Sequence, residues 1–174
     1  MEEFFTVDRA RSLTPGAVLN LRTFRDINPA EFQAHVDALF PSGVSRHGDW
    51  YFLTQPKQPN AVNEVIELLA EYIRRAHYSS RPSRFQSWFG TATIADARAF
   101  RSEFGCGNGT IWRVKAGGCF RANMRLLTFG GSNLTRSWLV HQYWQGLAGN
   151  GAPFWECVLT PPIEVVDLVD MSGA

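Results

Sequence analysis

One carboxylate stands apart by its setting. Glu156 lies in Phe154-Trp155-Glu156-Cys157-Val158-Leu159, where both alternating faces are apolar. A strand of that pattern is buried on both sides, so its carboxylate is desolvated or lines a cleft, and needs a partner in either case. Two roles are open to it: half of a buried ion pair with an arginine, or a carboxylate fixed at a pocket edge that works as acid/base or stabilises a developing cation. A second cluster runs from Ser79 to Thr91, where hydroxyls, Arg81 and Arg84 interleave with Phe85, Trp88 and Phe89. Such a stretch can hold a phosphate and stack an aromatic ring, or simply connect two helices with Phe85 and Trp88 in the core. The third is Gly43-Val44-Ser45-Arg46-His47-Gly48-Asp49-Trp50 ahead of the apolar Tyr51-Phe52-Leu53, which reads as a solvated loop.

Other chemistries find less support. His35, His47, His77 and His141 show no His-x-x-x-His or Cys/His spacing, so no metal is expected. Counting leaves a Ser/His/Asp triad open, but there is no G-x-S-x-G elbow to raise it. Cys157 reads as a small buried hydrophobe. No G-x-G-x-x-G follows the first strand and there is no G-x-x-x-x-G-K-[ST], since Gly105, Gly107 and Gly109 follow a helix rather than open one.

The whole composition narrows the class. With 174 residues, 45% hydrophobic and 19% charged, the chain reads as one soluble domain over residues 1–174 with no membrane span. Met1-Glu2-Glu3 speaks against a secretory signal, which suggests a cytoplasmic protein, or one delivered into a target-cell cytoplasm by a dedicated system. A net charge of +1 is too balanced for a protein that lives by neutralising nucleic-acid phosphates or anionic lipid. Of the 17 basic residues only Lys57 and Lys115 are lysines; codon bias explains that ratio, as does a need for bidentate grip on phosphate or carboxylate. Cys106, Cys119 and Cys157 lack C-x-x-C spacing, which fits a reducing compartment better than a disulfide framework.

The elements that must position these residues follow from caps and periodicity. Phe4 to Val7 and Ala17 to Leu21 read as strands, with Leu13-Thr14-Pro15-Gly16 between them. Asn28-Pro29-Ala30-Glu31 places a cap, a proline at the first helical position and an acid at N3, ahead of Phe32, Val36, Leu39 and Phe40; Pro41 stops the helix. Val62, Val65, Ile66, Leu69, Ile73 and Ala76 predict a helix over 61–78 with Glu71 and Arg75 paired on the other face. Thr93 and Asp96 open a helix carrying Ala97, Phe100 and Phe104 inward to Gly105. Thr110 to Val114 and Cys119 to Thr128 read as strands, Ser132 to Tyr143 as a helix closed by Gly146. Pro153 to Leu159 and Ile163 to Val169 follow as strands about Thr160-Pro161-Pro162, which cannot be helical. Helices without regular strand–helix alternation predict an α+β domain.

In order, these pieces resemble the ADP-ribosyltransferase fold of bacterial toxins related to cholera toxin. The likeness rests on the first strand Glu3 to Ala10, on Arg84-Phe85-Gln86-Ser87-Trp88-Phe89-Gly90-Thr91 with the capped helix and Ile111-Trp112-Arg113-Val114 after it, and on the late strand carrying Glu156. The resemblance implies split antiparallel sheets with helices around them, NAD as substrate, Ser87 supporting the nicotinamide-ribose pocket, and Glu156 binding the ribose hydroxyl and stabilising the oxocarbenium ion. Thr6 stands where the family carries Arg or His, with Arg9 three residues later as the substitute. Phe154 stands where arginine-modifying transferases keep an acid or glutamine, which points away from arginine as the acceptor.

The resemblance therefore implies transfer of ADP-ribose to a macromolecule, and the near-neutral charge favours a protein acceptor over nucleic acid. Breaking the glycosidic bond of NAD develops positive charge on a ribose whose leaving group is neutral, so a fixed carboxylate stabilises the transition state more than the ground state. Arg84, Arg46 and Arg9 are candidates for the pyrophosphate, and Phe89 and Trp88 for the walls around nicotinamide. NAD hydrolysis, 2'-phosphotransfer and a non-enzymatic binding module are the rival readings. The first strand, the Ser87 segment and the Glu156 strand are expected to meet around one cleft.

Overall fold

The computed structural model describes residues 1–54, 62–105, 107–128 and 130–171, with residues 62 and 63 described by backbone alone. Cys106, Lys57, the predicted start of a helix at 61 and the side chain of Val62 lie outside the described residues. Strands β1 (Glu2–Asp8), β4 (Thr110–Ala116), β7 (Ile163–Asp170) and the two-residue β2 (Val18–Leu19) form an antiparallel sheet in the order β1-β4-β7-β2. A second antiparallel sheet has the order β3-β6-β5, from β3 (Trp88–Gly90), β6 (Trp155–Leu159) and β5 (Cys119–Asn123). With the five α-helices among the described residues, α1 (Ala30–Leu39), α2 (Arg46–Gly48), α3 (Val62–His77), α4 (Ile94–Glu103) and α5 (Asn133–Gln145), the fold is α+β.

The smaller sheet is the middle layer. Period-2 alternation sends Cys157 and Leu159 of β6, with Trp88 of β3, toward the larger sheet, where they pack with Phe4, Trp112, Val114, Ile163 and Val165. Val158, Phe120 and Ala122 point the other way, against Ile66 and Ala70 of α3 and Val140, Tyr143 and Trp144 of α5. Glu156 shares that helix-facing side. β6 is thus covered on both faces, as its unbroken apolar pattern predicts, and Glu156 is buried. Among the described residues no helix is long and apolar enough to cross a membrane.

Helix starts follow their local chemistry. Thr93 caps α4, its Oγ1 accepting from the Asp96 N–H at 3.1 Å. Ser132 caps α5 in the same way, and Gly146 ends it in the left-handed region at φ 74°. The start of α1 differs from the prediction: Pro29 is the capping residue, with extended backbone and no side-chain cap, rather than the first helical residue. No residue of α1 is buried, and Phe32 points to solvent, so this helix leans on the domain through Phe40 at its end.

Helix α3 packs Ile66, Leu69 and Ile73 of its predicted face against the core, but Val65 and Ala76 face out. Val65 and Tyr72 are 55% and 51% exposed, while Glu67 and Glu71 are 6% and 3% exposed. The fully buried stripe runs through Ile66 and Ala70; beside it Glu67 turns inward to the buried Arg84, and Glu71 to Ser83 and the half-buried Arg74 and Arg75, the latter its predicted partner. Likewise the strand predicted over 119–128 ends at Asn123, whose carboxamide accepts from the Arg125 and Phe154 N–H groups and tightens the chain into a 3-10 turn, Met124–Leu126.

A candidate active site around Glu156

Arg84 sits in a 3-10 turn, Arg84–Gln86, that leads into β3. Its Nε and Nη2 engage both oxygens of Glu67 at 2.7 Å each, a fork that fits a carboxylate in two parallel bonds. Its Nη1 donates to Glu156 Oε1 and to the Tyr143 hydroxyl, both at 2.5 Å, and that hydroxyl donates in turn to Glu156 Oε1 at 2.8 Å. The guanidinium lies 4.5 Å from the centre of the Phe89 ring and 5.3 Å from that of Tyr143. Burial alone disfavours the Arg84 charge, but Glu156 and Glu67 hold its pKa well above the ordinary arginine value. Burial likewise opposes ionisation of Glu67, yet the Arg84 guanidinium with the His47 ring beside it holds that carboxyl well below the usual range. Burial, with Glu156 as a negative neighbour, pushes the Tyr143 phenol well above its ordinary value, so it stays a donor.

Two carboxylates therefore share one guanidinium. Glu156 Oε1 is fixed by two donors, whereas Oε2 accepts no hydrogen bond from the described residues; the side chain as a whole is 8% exposed. A carboxylate with one oxygen pinned and the other open is preorganised to meet a developing positive charge.

The polar stretch 43–50 is a wall of the site rather than a solvated loop. Ser45 caps α2, which passes directly into a π-helical turn over Asp49–Leu53. Ser45 donates from its N–H and its Oγ to the Phe85 carbonyl at 2.8 and 3.1 Å, and Phe40, Val44 and Phe85 form a small core beneath. Gly48 makes this approach possible: a Cβ there would stand 2.2 Å from the Phe85 oxygen. His47 is thereby set 3.3 Å from Glu67 Oε2, without a hydrogen bond's alignment, and its ring lies 4.4 Å from Tyr51 and 4.6 Å from Phe89. Burial and the nearby Glu67 raise the Tyr51 pKa.

The three segments expected to converge lie side by side. β3 pairs with β6, and Phe5 of β1 bridges Thr91 just after β3. Thr6 donates to the Phe89 carbonyl at 2.7 Å, so the position that resembles the family's Arg or His supports the wall of the site. Arg9 is exposed and within electrostatic reach of Tyr51, and Arg46 is an exposed side chain that donates to Ser12 Oγ at 2.7 Å. Between them, the buried Asp8 carboxylate accepts from the backbone N–H groups of Ala10, Ser12 and Leu13, which shapes the loop that bears Arg9.

Three expectations change. Arg84 is buried and engaged by Glu67, Glu156 and Tyr143, so it holds Glu156 in place rather than standing open to a phosphate. Ser87 is buried, donates to the Ser83 carbonyl at 2.7 Å and does not touch Glu156; it ties the turn that holds Arg84. Trp88 faces the other sheet, so Phe89 alone of that pair stands by the site. Sequence reasoning missed Glu67 and Tyr143, and it named His47 and Tyr51 only in or beside a stretch read as a solvated loop. The signal available was the pair Glu67 and Glu71, four residues apart beside the apolar Ile66 and Ala70. A cavity of about 310 Å³ lies elsewhere, between Met1, Gly117, Gly118 and the Thr160–Pro162 turn. Among the described residues no three His, Cys, Asp or Glu side chains gather as metal ligands would.

The fold and the site together define an α+β domain built around a buried carboxylate–arginine–tyrosine centre. The chain belongs to the family described as a protein of unknown function (DUF2441), whose model matches residues 44–171 and so includes every residue of this centre. No curated protein matches the chain.

Proposed function

We propose that the protein is an NAD-dependent ADP-ribosyltransferase with Glu156 as its catalytic carboxylate. The observation that carries this reading is the unequal use of the Glu156 oxygens: Oε1 is fixed by Arg84 and Tyr143, and Oε2 accepts no hydrogen bond from the described residues. In the reaction the bond between ribose C1' and the nicotinamide nitrogen breaks, its electron pair leaves with nicotinamide, and C1' becomes oxocarbenium-like. Glu156 Oε2 holds the adjacent ribose hydroxyl and stabilises that charge, and an acceptor nucleophile bonds to C1' as it gives up its proton. The half-buried rings of Phe89, Tyr51 and His47 offer a surface for nicotinamide, and Arg9 and Arg46 offer charge-assisted donors to the pyrophosphate.

A second reading has one observation in its favour. The triangle of Arg84 Nη1, Tyr143 hydroxyl and Glu156 Oε1 is closed, which suits a purely structural ion pair in a binding module. Incubating the purified chain with labelled NAD, with and without a cell lysate, separates the possibilities. Protease-sensitive label on macromolecules supports transfer to protein. Nicotinamide release without label makes the protein a glycohydrolase, and neither outcome leaves the structural reading.

A further inference from the structure

Cys119 and Cys157 lie outside the site, on adjacent strands. Cys119 opens β5, the edge strand of the smaller sheet, and its direct partner on β6 is Leu159; Arg121 pairs with Cys157. With a side-chain period of two, Cys119, Leu159 and Cys157 share one face of the sheet, and the two cysteines are diagonal neighbours across the strand pair. The two thiols are near enough to perturb each other's ionisation. Cys119 is exposed and Cys157 buried. The cavity lined by Gly117, Gly118 and Thr160 to Pro162 opens beside the start of β5, next to Cys119 in the chain and next to Leu159 across from it. A small reagent can therefore reach one thiol while the other waits behind it.

We infer that Cys119 and Cys157 form a reversible thiol–disulfide site that reacts with small hydroperoxides, Cys119 attacking first and Cys157 resolving. The neighbouring Cys157 thiol lowers the Cys119 pKa against the opposing effects of burial and Glu2, and the Cys119 thiol, with burial, raises Cys157. Cys119 is the nucleophile by exposure and by thiolate character, and Cys157 the inert partner. In the first step the Cys119 thiolate attacks one oxygen of hydrogen peroxide, the O–O bond breaks and hydroxide leaves, giving a sulfenic acid. In the second the Cys157 sulfur attacks the Cys119 sulfur, the S–O bond breaks and the Cys157 proton leaves with the oxygen as water. Two thiols and one peroxide thus yield one disulfide and two waters. A separate thiol reductant restores the pair by exchange.

The test oxidises the native full-length chain with hydrogen peroxide, alkylates what remains and maps fragments by mass without reduction. The expected result is a cross-link between the fragments bearing Cys119 and Cys157, undone by dithiothreitol and unchanged in Cys106→Ser. Cys119→Ser should leave Cys157 a free thiol, and Cys157→Ala should leave Cys119 carrying added oxygen with no cross-link. Native chain that shows oxygenated Cys119 beside free Cys157, or Cys119 linked to Cys106, overturns the inference. A second measurement needs no variant: the pH midpoint for alkylation of Cys119 should lie lower in the folded chain than in the urea-unfolded chain. An equal or higher midpoint overturns the inference as well.

Discussion

Replacing Arg84 by methionine tests the buried charge network by removing its only guanidinium. The methionine keeps much of the volume, but Glu67 loses both of its fork bonds and Glu156 loses one of two donors to Oε1. Removing one partner from a buried pair costs about 3–5 kcal/mol, and here two carboxylates are stranded. For a chain of this size that lowers the melting temperature by roughly 6–20 °C at neutral pH. The pH dependence is more specific still. In the parent, Arg84 depresses the folded-state pKa of Glu67 below its ordinary 4.5, so this contribution is complete above that value and fades only as pH falls below it. Without Arg84, burial of Glu67 is opposed by the His47 ring alone and raises its folded-state pKa relative to the parent, so the variant regains stability as acid neutralises this stranded carboxylate. Melting curves followed by circular dichroism at about pH 7 and about pH 5 should show the gap between parent and variant narrowing with acid. A variant that melts within a degree or two of the parent at neutral pH, or a gap that widens on acidification, refutes this account of the network.

Three further outcomes are expected. Gly48→Ala places a Cβ 2.2 Å from the Phe85 carbonyl, so α2 must lift away from the Arg84 turn; the melt should fall by several degrees and the Tyr51 and Trp50 fluorescence should change. Thr93→Ala removes the cap of α4 and should cost about 1 kcal/mol in urea unfolding, with no effect on NAD turnover. Millimolar NAD should raise the melting temperature of the parent by mass action, while EDTA should leave it where it was.

The framework was legible because its signals are local. Thr93 with Asp96, Gly146 after α5 and the Pro161-Pro162 turn act through neighbours within a few residues, and β6 announced its burial by having no polar face. Glu156 could be read as needing a partner, since a carboxylate between two apolar faces has few alternatives. Which partner could not be read, because Arg84 and Tyr143 approach from a turn and from α5, 72 and 13 residues away. Glu67 escaped notice for the same reason: helical periodicity assigns an acid to water unless the distant Arg84 that draws it inward is known, whereas the Glu71–Arg75 pair is readable at i, i+4. His47 was hidden in a stretch whose composition suits a loop, and only the contact of Ser45 and Gly48 with the Phe85 carbonyl brings it to the site.

Glu156→Gln bears most directly on the proposed chemistry. The change removes the charge but leaves an oxygen to accept from Arg84 and Tyr143, and Arg84 keeps its fork on Glu67, so no buried cation is stranded. The variant should therefore melt close to the parent, which makes its kinetics interpretable. The measurement is the rate of nicotinamide release from NAD by parent and variant, taken alongside their melts. The account predicts a drop of roughly 10²-fold or more in turnover with the fold and NAD binding retained. A folded Glu156→Gln chain that releases nicotinamide at the parental rate, or a parent that releases none, contradicts it.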